Sequence, residues 1–250
     1  MAVDILDLSR VAQTNVALYR QMHGLGYDSS SMRLVRDAYE LVCVPFAGHY
    51  RACGKPFVCH LIGTASVTAW LGARPELVVA ALMHSVYEAS LAFGNNVDPV
   101  RLTPAQIRSK LGDGVERLVA AYRDMPWNLA TFPVLASESR SASGERADVL
   151  LLRLANELDD HLDCSMVYCS GERRRIDAAF DLWVDMAGSL GFPALADALR
   201  QCRNEHAECD WAPILGDGRF VSYSVIDARL GLLRRARARL RQMLDCCRRM

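Results

Sequence analysis

The feature that most constrains this chain is the run PELVVAALMHSVYEA at residues 75–89, whose apolar side chains go nearly all round a helical wheel. A helix with one apolar stripe lies on a surface, whereas one that is apolar on every side has to be enclosed by others. The run therefore predicts a buried central helix, opened by Pro75 in its first turn, with further helices packed around it. It also carries an imidazole, His84, into that apolar setting. A buried imidazole needs a hydrogen-bond partner, and the plainest one is a backbone carbonyl.

Helical periodicity supplies the shell. Residues 4–23 place Ile5, Leu8, Val11, Ala12, Val16 and Tyr19 close to a 3.6-residue period, with Gly24 and Gly26 as stop signals. Ser29 to Ser31 can cap a second helix through Leu34, Ala38, Leu41 and Val42. Residues 46–55 read as a loop, and Pro56 suits the start of a third helix running to about Gly72. Thr103–Pro104 reads as an N-cap followed by proline at the first helical position, opening a short helix that ends near Gly112. Another helix follows to about Tyr122. Residues 125–143, with two prolines and a serine-rich end, read as a long loop able to act as a lid. Helices resume at about 145–163, 172–190, 193–208 and 222–249, and Phe220 to Val225 could form a short strand. No alternation is sustained enough to build a sheet, so the expected class is all-α.

Composition fits one large core: 250 residues, 51% hydrophobic and 23% charged. Lys plus Arg equals Asp plus Glu at 29 each, so bulk charge points to neither a nucleic-acid nor a membrane partner. No stretch approaches the ~20 apolar residues that span a bilayer, and MAVDILDLSR does not read as a secretory leader. The 9 cysteines contain no CxxC pair, which suits reduced thiols and a cytoplasmic location.

The segments RACGKPFVCH (51–60), VVAALMHSVYEA (78–89), LLLRLANELDD (150–160) and GERRRIDAAFDLWVDMAGSLGF (171–192) stand in an order and spacing that resemble the HD-type hydrolase domain of the RelA/SpoT alarmone hydrolases. The likeness runs over roughly residues 30–200 and implies an HD-domain-like helical bundle. It suggests an N-terminal helix at 1–28, a hydrolase-like domain at 29–208 and a C-terminal extension at 209–250. In that family a Mn²⁺ ion is held by a histidine, a His–Asp pair and a distal Asp. Carried onto this sequence, the histidines are His60 and His84, while Ser85 and Asn156 stand where the two aspartates are expected. The family's Glu–Asp catalytic pair becomes Glu88 and Ala89, its base-packing arginine falls at Arg51, and a substrate-side Asn falls at Asp160.

These replacements have a physical consequence. Mn²⁺ favours hard anionic oxygens, and serine and asparagine offer neutral ones, so a divalent ion (Mn, Fe or Zn) is expected to bind weakly if at all. A shifted site remains open: Glu88 lies four residues after His84, and Asp160 four after Asn156, each pair on one helix face. His60, His84, Glu88 and Asp160 are the candidate acid/base groups, Arg51, Lys55 and Asn156 the candidate substrate contacts, and His49 and His161 possible additions. Asp159 is expected on a solvated helix face.

The functional expectation is a diverged HD-superfamily enzyme that hydrolyses a phosphate ester or anhydride of a small, nucleotide-like metabolite, or a repurposed biosynthetic step in the same pocket. The rival is an inactive pseudohydrolase that senses a nucleotide or scaffolds a partner. The basic amphipathic helix expected at 226–249 would dock on its own domain or on a second copy to form a homodimer. Nucleic-acid contact or anionic-membrane adhesion are its other uses.

Overall fold

The computed structural model describes residues 7–87, 102–169, 173–211, 215 and 222–225, the side chains of 173–177 and 223 excepted. Apart from one two-residue strand pair, the regular structure of the described residues is helical. Glu88, Ala89 and residues 226–249 of the helix expected at 222–249 lie outside them, while Tyr223–Ser224, at its expected start, is a strand.

The central helix opens where the sequence places it, at Pro75, but stops at Met83, so His84 lies in the turn that follows rather than in mid-helix. α4 (Pro75–Met83) buries every residue from Leu77 to Met83. α2 (Ser29–Phe46), α3 (Phe57–Trp70), α6 (Asp113–Asp124) and α8 (Gly144–His161) pack against it. α2 turns Val35, Ala38, Val42 and Phe46 inward at helical spacing, and its N-cap is Asp28, whose carboxylate accepts from the Ser31 amide at 2.7 Å. α5 (Pro104–Leu111) opens with a complete capping box between Thr103 and Gln106, and Gly112 closes it at φ +92°. α9 (Ser165–Cys169) is a short helix after α8, and α10 (Arg173–Ser189) and α11 (Pro193–Glu208) pack against each other and against α8.

Three local expectations are corrected. The first long helix, α1 (Asn15–Gly24), starts at Asn15 rather than residue 4, because the Thr14 hydroxyl caps it by accepting from the Ala17 amide at 3.2 Å. Val11 and Ala12 reach the core from backbone outside any helix instead. Within the 46–55 loop, β1 (His49–Tyr50) pairs antiparallel with β2 (Tyr223–Ser224), so the late strand signal finds its partner beside the loop that carries Arg51. The 125–143 segment is not an open lid: α7 (Phe132–Ser139) packs on α10 and buries Phe132, Leu135 and Ala136. Between α6 and α7, the buried Arg153 of α8 stacks 3.6 Å from the Tyr122 ring centroid and donates to the Tyr122 and Met125 carbonyls at the end of α6. A cation there answers the negative end of the helix dipole.

Candidate functional site

α3 and α8 lie side by side, and the chemistry gathers between them and the end of α4. His60, in the first turn of α3, is fully buried. Its Nδ1 lies 2.7 Å from Asp159 Oδ2 and 3.2 Å from Asp160 Oδ1. His84, one residue past Met83, is also buried, and its Nδ1 lies 2.7 Å from the Ala81 carbonyl oxygen. The two rings stand nearly perpendicular, at 84°, with the Nε2 atoms 3.2 Å apart.

Those distances assign the protons. A carbonyl or a carboxylate oxygen can only accept, so each imidazole donates from Nδ1–H. Neutral rings in that tautomer carry bare lone pairs on both Nε2 atoms, aimed at each other. Burial drives both histidines toward the neutral form. Its effect on His60 is reinforced by Arg51 and opposed by the two carboxylates, and its effect on His84, pushed well below the usual range, is reinforced by His60. Two facing lone pairs repel unless a proton or a metal ion lies between them. Histidines whose Nδ1–H is tied to a carboxylate and to a backbone carbonyl are oriented as metal-ligating histidines are.

The carboxylates form a balanced layer behind His60. Asp159 is buried, not on a solvated face as its sequence context suggests. Lys55 Nζ reaches its two oxygens at 2.7 and 2.8 Å, and Gln13 Nε2 reaches Oδ1 at 3.3 Å. Burial alone would raise the Asp159 pKa, but Lys55 and His60 hold it at about 2. Room for this carboxylate comes from Gly63, where a Cβ would stand 1.7 Å from Asp159 Oδ1. Asp160 pairs with Arg51 at 2.8 Å and accepts from Asn156 Nδ2 at 3.3 Å. The Arg51 guanidinium also lies 5.7 Å from the Phe57 ring centroid. Arg51 and Lys55 are held in position by a tight turn: the Arg51 amide donates to the Lys55 carbonyl, the Gly54 amide to that of Arg51, and Gly54 takes φ +84°.

Of the sequence candidates, His60, His84, Arg51, Lys55, Asn156 and Asp160 thus come together, and Ser85 is buried next to His84 in the chain. His161 does not join them. It faces Phe180, Trp183 and His206, and burial holds it down at about 4. His49 is in β1, opposite Ser224. Gln13, Gly63 and Asp159 are the participants that sequence reasoning missed. Only Asp159 had a signal, its place one turn after Asn156.

His60, Asp159 and Asp160 bring ligand atoms within 4.8 Å of one another, compatible with a divalent cation. Their charges are already matched by Lys55 and Arg51. A cavity of about 860 Å³ adjoins this layer, with Gln13, Lys55, Asp159, Tyr168 and Trp211 among its lining residues.

No family model matches the chain, and no curated protein matches it. Among solved structures it is similar to one described as "A metazoan ortholog of SpoT hydrolyzes ppGpp and plays a role in starvation responses", at 16% identity, with 73% of this chain and 99% of that chain covered and a TM-score of 0.48.

Proposed function

We propose that the protein is a diverged HD-type hydrolase that cleaves a phosphate ester or anhydride of a small phosphorylated metabolite. The observation that carries this reading is the facing His60–His84 pair, each ring locked by its Nδ1–H and each presenting Nε2 to the same point. His60 and His84 would hold a metal through those nitrogens, with Ser85 and Asn156 offering neutral oxygens. That nitrogen-weighted set suits Zn or Fe better than Mn. When bound, the ion would supply Lewis-acid activation of water and phosphoryl oxygen. The protein's own residues do the rest. Asp159 fixes the His60 tautomer and ring plane, and Gly63 lets it come close enough to do so. Lys55, pivoting from Asp159, gives a phosphoryl group a cationic donor at the cavity wall, and Arg51, on the same turn and paired with Asp160, is a second cation behind it.

One observation favours the rival reading, a nucleotide-sensing module without turnover: Asp159 and Asp160, the carboxylates nearest His60, are already engaged by Lys55 and Arg51 rather than left free for a metal. Elemental analysis together with a phosphate-release screen over nucleotides and sugar phosphates separates the two. The hydrolase reading expects near-stoichiometric Zn or Fe and phosphate release, both lost in His60→Ala and His84→Ala. Nucleotide binding with no metal and no turnover would leave the sensor.

A further inference from the structure

One flank round α8 from Asn156 and Asp160, Glu157 and His161 face a second, smaller cavity of about 60 Å³. That is several times the ~10–15 Å³ that houses one water. Aromatic rings enclose it. Trp127 and Phe132 have centroids 5.0 Å apart at 71°, Phe132 and Trp183 5.7 Å apart at 78°, and Trp183 and His161 5.3 Å apart at 62°.

Three polar groups belong to this aromatic shell. Glu157 Oε1 accepts from Trp127 Nε1–H at 2.7 Å, and among the described residues no Lys or Arg lies within ion-pair distance of the carboxylate. His161 Nδ1 donates to the Glu157 carbonyl at 2.7 Å, which leaves a lone pair on Nε2. That Nε2 is buried without a hydrogen-bond partner, and so is the Trp183 Nε1–H. Folded interiors rarely leave such groups unmade. The cavity therefore lacks a donor for His161 and an acceptor for Trp183, and among the described residues no Lys or Arg pairs with Glu157, whose carboxyl burial pushes up to about 7.

We propose that this cavity binds a small amino alcohol. Its ammonium donates to His161 Nε2 and faces the Glu157 carboxylate, its hydroxyl oxygen accepts from Trp183 Nε1–H, and the faces of Trp127, Phe132 and Trp183 hold the cation. A plain amine leaves the Trp183 N–H unmade, and a diol leaves Glu157 without a counter-charge. The site uses neither His60 nor His84, so it stands or falls independently of the hydrolase reading.

Isothermal titration calorimetry of the intact protein with ethanolamine, ethylamine and ethylene glycol tests it. Ethanolamine is expected to bind with a Kd of about 1 mM, as its few heavy atoms allow, with ethylamine weaker and ethylene glycol undetectable. Glu157→Gln should weaken ethanolamine about tenfold. Trp183→Phe keeps an aromatic face and removes the N–H, so it should bring ethanolamine down to the level of ethylamine. Ethylene glycol binding as tightly as ethanolamine, or no heat from any probe with the folded wild-type protein, overturns the proposal.

Discussion

Alanine at Gly63 would ordinarily stabilise a helix interior by about 1 kcal/mol, but here its methyl would occupy the place of the Asp159 carboxylate. The clash should outweigh the propensity gain, because overpacking costs about 1–3 kcal/mol. We expect Gly63→Ala to lower the urea midpoint in the wild-type background and to raise it in Asp159→Ala, where only the flexible Gln13 amide, 3.0 Å from that Cβ, remains nearby. Equal stabilisation in both backgrounds would mean that the carboxylate does not sit against α3. The cysteines allow a second test at this scale. Cys202 is fully buried, and burial pushes its thiol up to about 12. The thiolate is the reactive form, and at pH 8 only roughly one thiol in 10⁴ would carry it. Cys202 should stay unlabelled by iodoacetamide in the native protein and label on unfolding, as read by mass spectrometry. Neither Gly63 nor Asp159 was legible in the sequence as a site residue. A carboxylate such as Asp159 near the end of α8 reads as solvated, and the lysine that overturns this lies 104 positions away. His60 and His84 were legible, because an imidazole in an apolar helix has to find a partner.

At the scale of elements, α4 was readable because its burial is all-round, and α5 because its cap is spelled out locally. α7 was not. Its proline and hydroxyl residues give loop signals, and what overrides them is packing by Phe132 against Trp127 and Trp183, residues outside the helix. That account makes Phe132 the residue that keeps the segment helical and docked. Phe132→Ala should cost about 3–4 kcal/mol of stability, seen in chemical denaturation, and should open the 125–143 segment to limited proteolysis. If the variant is as stable and as protease-resistant as the wild type, α7 is held by something other than this aromatic contact.

For the whole molecule, helices distant in sequence converge to bury two neutral imidazoles lone pair to lone pair. Such an arrangement is unfavourable if left bare, so whatever lies between the Nε2 atoms contributes to the stability of the entire bundle. A ligand that binds only the folded state stabilises it in proportion to the logarithm of its saturation, about 2.7 kcal/mol at a hundredfold excess over its Kd. For a chain of this size that corresponds to roughly 5–10 °C in Tm. Titrating Zn²⁺ into chelator-treated protein should therefore raise Tm by several degrees, and the rise should vanish in His84→Ala. Because α3, α4 and α8 share the histidine site and the core, the unfolding transition should move as one unit. A Tm indifferent to Zn²⁺ and Fe²⁺ in the wild type would leave a shared proton as the bridge between the rings, and the chemistry would then be that of a metal-free acid/base pair backed by Asp159.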